Sequence, residues 1–447
     1  MSESTEATEN QKRFSPAYRN YALGILFVGY IVNFVDRSIL SLLLEPIKLE
    51  LSLSDSQLGL LGGLAFALFY TFLGIPIAAM ADRYSRVKIL AVSMVIWSAM
   101  TAFCGLATNF WTLLMTRIGV GVGEAGASPP SHSLISDYFP VEKRATALSI
   151  YALGIPFGTM IGSYVGGWGA DEIGWRNTFF LVGVPGVFVA LIIALTLREP
   201  PRGMSDVKPA QANSNNQDKK PEAPKVAEVI KFLGNKMSFR HLAFAAGLHA
   251  FVSYGASTWN APFFIRIHNM SSTDLGAALA LVAGIGAIGT FFGGYLSDKI
   301  SDRTGDKRWY FWVPAIATII MVPFQLVAYL YDGTTAAIGS LCVVAIMGAV
   351  YLGPSFAMTQ ALVSLRMRAV ASAILLFVLN LIGMGLGPWF VGILSDVLAP
   401  SMGVESIRYA LCVAVLVNLW AGVHYLLGAK TVRGDLLETE QLNAKLA

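Results

Sequence analysis

Residues 115–126 read Met-Thr-Arg-Ile-Gly-Val-Gly-Val-Gly-Glu-Ala-Gly, an apolar, helix-forming stretch that carries two charges. Arg117 and Glu124 stand seven residues apart, two helical turns, and so share one face. Gly121 and Ser128 continue that face, whereas Gly119, Gly123 and Pro130 mark another. In a membrane-spanning helix each such charge costs about 2.5–3.5 kcal/mol on insertion scales. Hydrocarbon cannot solvate them, so they must face partners or a watery cavity. Asp36 and Arg37 raise the same problem in the first apolar segment. Charges at this depth point to transport rather than anchoring.

The rest of the chain supplies the membrane setting. Of its 447 residues 55% are hydrophobic and 13% charged, about half the charge of a soluble domain. Apolar runs recur along almost the whole chain, each long enough to cross a hydrocarbon core of about 30 Å. They predict twelve spans, at 20–44, 57–81, 88–107, 111–137, 145–167, 177–198, 241–265, 272–297, 309–331, 335–360, 369–395 and 407–428. The first run is too long, and lacks the cleavage site, for a removable signal peptide. Cys104, Cys342 and Cys412 lie far apart in apolar segments, so neither a disulfide nor a metal site is expected.

Lys and Arg set the expected orientation. With the N-terminus in the cytoplasm, 26 of the 32 fall on that side, and Lys48, Arg176, Arg266 and Arg408 fall on the other. The bias follows the positive-inside rule and places both termini in the cytoplasm of a cell (inner) membrane. It also accounts for the net charge of +4 without a nucleic-acid partner.

The chain reads as two halves. A cytoplasmic leader (1–19) precedes a first six-helix bundle (20–198). A cytoplasmic linker (199–240) leads to a second bundle (241–428) and a cytoplasmic tail (429–447). Residues 199–225 are rich in Pro, Asn, Gln and Lys and poor in large apolar residues, so they read as a disordered linker, with a short surface helix near 227–233. The halves repeat weakly. Asp82-Arg83 after the second span answers Asp298-Lys299 after the eighth. Arg144-Ala145 before the fifth answers Arg368-Ala369 before the eleventh. Two halves of like orientation imply a site between them near the midplane.

The segment Ala81-Asp82-Arg83-Tyr84-Ser85-Arg86-Val87-Lys88 resembles the loop motif of the major facilitator superfamily, L-A-D-R-x-G-R-K, with Ser85 in place of Gly and Met80 in place of Leu. Asn33-Phe34-Val35-Asp36-Arg37 and Arg117 to Ala125 resemble the spinster branch, whose animal members are linked to sphingosine phosphate and lysophospholipid transport. Organic-anion:proton symporters also carry an N-Y-x-D-R first helix. The resemblance implies an all-α membrane protein of twelve transmembrane helices in two six-helix pseudo-symmetric bundles, working as a monomer. It also implies that Asp82 meets the start of the eleventh helix and Asp298 the start of the fifth. Arg83, Arg86, Arg144 and Arg368 would join these gating contacts on the cytoplasmic side. Plain loop anchoring is the alternative.

The intramembrane charges suggest proton coupling. Helix rise places Asp36 and Arg117 at a similar depth, with Glu124 about 10 Å deeper. Asp36 is therefore expected to pair with Arg117 in at least one state, leaving Glu124 without an obvious full-time counter-ion. A carboxylate so placed can exist protonated. The alternative is a structural ion-pair cluster. Arg37 suits an anionic head group, because guanidinium binds phosphate or carboxylate through paired hydrogen bonds; equally, it could simply neutralise Glu124. Arg117, Asn33 and Ser128 complete the candidate substrate contacts in this half, and Asn260 and Asn380 extend them to the other. His249 in the seventh span either relays protons or bonds a neighbouring helix. Glycines 154, 158, 162 and 166 form a stripe that lets another helix approach.

The expectation is a proton-coupled secondary transporter working by alternating access on an amphipathic, anionic, lipid-like substrate. An organic-anion:proton symporter is the nearest alternative, and a non-transporting ligand sensor in the membrane the alternative of another class. No cofactor beyond the coupling proton is expected. No nucleotide loop or nucleophile elbow appears, so neither an enzyme nor an ATP-driven pump is expected.

Overall fold

The computed structural model describes residues 14–205 and 226–446, and helix occupies nearly all of them, with no strand among the described residues. All twelve expected spans are present as helices. Among the described residues, nine stretches are long and apolar enough to cross a membrane, and one of these, Arg368–Gln441, holds both the eleventh and the twelfth spans. The fourth and seventh spans fall outside that set. The fourth is broken into helices of 15 and 11 residues, and the seventh carries polar residues such as His249 and Asn260.

Several spans that read as continuous are broken. The fourth is two helices, Phe110–Glu124 and Ser128–Tyr138, joined by a turn over Ala125, Gly126 and Ala127. Pro129 and Pro130 bring no backbone donor to the second piece, which suits the first turn of a helix. The eleventh runs as Arg368–Val378, a π-helical segment Leu379–Leu386 and Gly387–Met402. Gly383, Gly385 and Gly387 fall in or beside the widened turns.

Two compact units emerge. Residues of Met1–Pro46 and Leu68–Gln217 form one, and those of Ile47–Ala67 and Asp218–Ala447 form the other. In the first unit the third span, Arg86–Cys104, packs on the fourth and sixth. Gly123 makes this possible, since a Cβ there would stand 2.5 Å from the Trp97 amide nitrogen. The fifth-span glycine stripe meets the first span: a Cβ at Gly158 would lie 2.6 Å from the Ile31 carbonyl, and one at Gly162 2.8 Å from that of Val35. In the second unit the ninth span, Trp309–Leu330, packs on the tenth and twelfth, and the seventh packs on the eleventh. A Cβ at Gly383 would stand 2.5 Å from Ala250 Cβ. The same pairing thus recurs in each unit, as the repeat implies.

Residues 47–67, which the sequence groups with the first bundle, pack in the second unit, and charge explains why. The Asp55 carboxylate accepts from Lys48 Nζ at 2.5 Å, from Arg266 at 2.7 and 2.9 Å, and from the Ser395 hydroxyl at 2.6 Å. Asp396 accepts from the Asp55 and Ser56 amides at 2.9 and 2.7 Å, at the N-terminus of the helix Asp55–Gly62, where a carboxylate is favoured.

The linker needs a correction at its start. Residues 199–205 are docked rather than disordered. Glu199 accepts from Arg86 Nε at 2.7 Å, from Ser85 Oγ at 2.8 Å and from the Val87 amide at 3.0 Å, capping the third span. Arg202 donates to the Ala81 and Tyr84 carbonyls at 2.7 and 3.1 Å. The reason is specific pairing, which composition does not report. Residues 206–225 of the linker and 1–13 of the leader lie outside the described residues. The short helix expected within the linker spans Val226–Asn235.

The glycine stripe yields a stability prediction. Gly162→Val should lose about 1–3 kcal/mol through overpacking. Gly24→Val, where nothing lies within 4 Å of the new Cβ, should cost less than half as much. Denaturation in detergent checks this; equal losses would show that the stripe does not set the approach of the two helices.

Candidate functional site

The first span carries Asn33, Asp36 and Arg37 into the first unit, and the fourth brings Arg117 and Glu124 to meet them. Asn33, Asp36, Arg117 and Glu124 are buried, at 2, 0, 3 and 1% exposure. Arg37 Nε donates to Glu124 Oε2 at 2.5 Å, so Glu124 does have a counter-ion. This corrects the expectation that it lacks one. The sequence placed Arg37 and Asp36 about 100° apart on the helix, and the structure uses that divergence. Arg37 turns to Glu124, while Asp36 Oδ2 accepts from Thr101 Oγ1 at 3.2 Å on the third span. The Arg117 charge acts on both carboxylates.

The Arg37–Glu124 pair is asymmetric. The Glu124 side chain has no exposed surface, whereas Arg37 keeps 20% of its own. The guanidinium also lies 4.7 Å from the Tyr70 ring centroid and 5.2 Å from that of Phe34. Cation and ring attract where water is scarce. Tyr70 and Thr101 are site residues that sequence reading did not find, because neither carries a charge to mark it.

The chain also breaks here. Glu124 is the last residue of its helix, and a Cβ added at Gly126 would overlap Ser93 Oγ and force that side chain to move. Ser128 opens the next helix. Broken helices at depth in a membrane occur where backbone is buried in protein or lines a cavity. Gly126 and the two prolines were the available signal.

The remaining candidates separate. His249, Asn260 and Asn380 belong to the second unit. His249 is fully buried, with Nε2 3.0 Å from the Gly348 carbonyl and Nδ1 3.1 Å from Thr318 Oγ1. The carbonyl can only accept, so Nε2 carries the proton, and Thr318 donates to Nδ1. That assignment satisfies a neutral imidazole at both nitrogens and favours the helix-bonding alternative. Asn260 Oδ1 accepts from Tyr329 at 2.8 Å. Asn380 is half-buried in the π-helical segment, a feature frequent at functional sites.

Among the gating candidates, Arg86 is buried in the first unit. It pairs with Asp137 and Glu199 and donates to Ser133 Oγ at 2.9 Å and to the Pro200 carbonyl at 2.8 Å. Those contacts tie the third span, the fourth and the segment after the sixth, which is anchoring. Asp82, Arg83 and Arg368 are exposed, and Arg144 is half-buried. Asp298 accepts from Tyr310 at 2.6 Å, across the short loop to the ninth span.

Known proteins place these features. The sequence profile of the Major Facilitator Superfamily matches residues 26–388. An MFS-type efflux pump of Mycolicibacterium smegmatis is 30% identical, covering 96% of this chain and 97% of its own. The zebrafish (Danio rerio) spinster homologue 3 is 26% identical over 95% of this chain and 88% of its own. A solved bacterial homologue of the human lysosomal transporter Spinster, inward-facing and unoccupied, superposes with a TM-score of 0.84 at 35% identity, covering 94% of this chain and 99% of that one. Helices, loop motif and charged first and fourth spans therefore agree: the chain belongs to the Major Facilitator Superfamily, in its spinster branch, and is a multi-pass membrane transporter rather than an enzyme.

Proposed function

We propose that this transporter couples an amphipathic, anionic substrate of lysolipid or sphingoid-phosphate type to protons by alternating access in the cell membrane. The observation that carries the reading is the asymmetric pair of Arg37 and Glu124. Asp36, Arg37, Arg117 and Glu124 sum to zero formal charge. A proton on Glu124 removes the counter-ion of Arg37 and leaves the cluster at +1. The partly exposed guanidinium then takes a phosphate or carboxylate in its place. Proton and anion bind with positive coupling, and such coupling is reciprocal. Phe34 and Tyr70 flank the cation with apolar surface, which suits a head group joined to a hydrocarbon tail.

A second reading, a small organic anion moved with protons, rests on relatives. A hexuronate transporter of Bacillus subtilis is 26% identical over 63% of this chain. The same Arg37 chemistry would serve a sugar acid, so the substrate's tail separates the readings.

Glu124→Gln should abolish proton-driven uphill transport in proteoliposomes while leaving thermal stability within a few degrees of wild type. Gln keeps the shape and mimics the protonated acid. Uphill movement at wild-type rate under a pH gradient would remove Glu124 as the proton carrier.

Arg37→Ala should weaken a lysophosphatidate-type ligand at least tenfold and leave a monoacylglycerol of the same tail within about twofold. Arg37→Lys should restore part of the loss, because it lacks the planar fork. Titrations at two pH values, with a hexuronate alongside, read both substrate class and proton linkage. Equal losses for charged and neutral ligands would make Arg37 a helix tie. Binding of hexuronate in preference to both lipids would favour the second reading.

A further inference from the structure

A second cationic site lies wholly within the second unit, away from the Arg37 cluster. The ninth span starts at Trp309 and the twelfth ends its apolar part near Leu427. Between them a groove of about 500 Å³ is lined by Arg308, Trp312, Val423, Leu426, Leu427, Ala429 and Lys430. Gly428 allows the approach of the two helices, since a Cβ there would stand 2.5 Å from Phe311.

The groove is graded along its length. Lys430 is exposed, and the Arg308 guanidinium lies 4.5 Å from the Trp312 ring centroid. Asp306 holds Arg308 in place, accepting from Nε at 2.9 and 3.1 Å and pairing with Nη2 at 2.7 Å. It accepts from Arg433 as well, at 2.9 Å. These bonds keep the Asp306 carboxyl well below the usual carboxylate range, so it stays ionised. Arg308, Lys430 and Arg433 against Asp306 leave this rim positive. Seven residues from Lys430, about 10 Å along the helix, Val423 is half exposed, with Leu426 between them at 40%. Leu419 and Leu416 continue the exposed apolar face at 42 and 49%.

We propose that this groove binds an anionic phospholipid from the leaflet on the Lys- and Arg-rich side, its phosphate at Arg308 and Lys430 and an acyl chain along Val423 and Leu426. The charge grading argues for that occupant. A zwitterionic head group carries its own cation toward Lys430, and a free phosphate leaves the apolar part of the groove empty. A Trp at the boundary suits the membrane interface. Basic pockets between transmembrane helices on the cytoplasmic side are a known setting for anionic head groups.

The test uses the purified, delipidated full-length protein in detergent. Its thermal unfolding midpoint is titrated with phosphatidylglycerol, with phosphatidylcholine of the same chains, and with glycerol phosphate. Phosphatidylglycerol should half-saturate at a concentration at least about tenfold lower than phosphatidylcholine. Lys430→Gln should cut that preference about fivefold, and Arg308→Gln with Lys430→Gln should abolish it, as removal of one and two interfacial cations implies. If the double variant misfolds, Lys430→Gln alone decides, because Lys430 is exposed. Arg37→Ala should keep the preference. Its loss there would mean that the titration reads the proposed transport site, and would overturn the groove assignment. Equal responses to the two lipids, an unchanged preference in Lys430→Gln, or equal stabilisation by glycerol phosphate would each overturn it as well.

Discussion

Burying a carboxylate among apolar helices is so costly that it must be paired, bonded or neutralised. Glu124 has no exposed side-chain surface, and the arrangement of the first unit follows from providing for it. Its partner, Arg37, comes from another span, so the first and fourth helices must stay in register to within hydrogen-bond reach. Glycine achieves this. The stripe on the fifth span seats the first span against it, and Gly119 and Gly123 seat the fourth against Met100 and Trp97 of the third. Backbones held this closely leave few alternative positions for the ion pair. Packing here sets the geometry that the electrostatics require.

The two units share helix pairing but not chemistry. In the first, four ionisable residues from two helices converge. In the second, polar groups within spans pair in neutral form: His249 with Gly348 and Thr318, and Asn260 with Tyr329. A buried neutral pair costs little when both members are satisfied. Charge in the second unit gathers instead near span ends, at Asp55 with Lys48 and Arg266, and at Asp306 with Arg308 and Arg433. The repeat thus supplies a scaffold twice, and side chains distinguish the copies.

Much of this was legible in the sequence, and the parts that were not share a cause. Span positions follow from runs of apolar residues, a local property. The divergence of Asp36 and Arg37 follows from helical geometry, also local. The partner of Glu124 was open to two readings because depth along a helix does not fix rotation between helices. The break after Glu124 had a signal in Gly126 and Pro129-Pro130, but hydropathy outweighs such marks when a window is averaged. The docking of Glu199 on Ser85 and Arg86 had none, since a single carboxylate within a polar linker looks like its neighbours. Residues 47–67 changed unit for the same reason: the bonds from Arg266 and Asp396 are more than two hundred residues distant in sequence.

A buried ion pair is a poor device for stability, because well-packed apolar residues of similar volume often do as well or better. Its value lies in having two alternatives. Arg37 keeps a fifth of its side chain exposed while bonded to Glu124, so an anion can reach it without the helices parting. In the proposed cycle Glu124, wholly enclosed, gives up that partner as it takes up a proton, because a buried carboxylate that loses its partner costs several kcal/mol. In the proposed mechanism, proton uptake and anion capture are two halves of one exchange around a single guanidinium. The enclosed member sets the cost of the exchange and the exposed member sets what may enter. Had both residues been exposed, water would screen the pair and the linkage would be weak. Had both been enclosed, no anion could arrive. The mixed burial of this one pair is therefore the feature on which the proposed proton coupling rests.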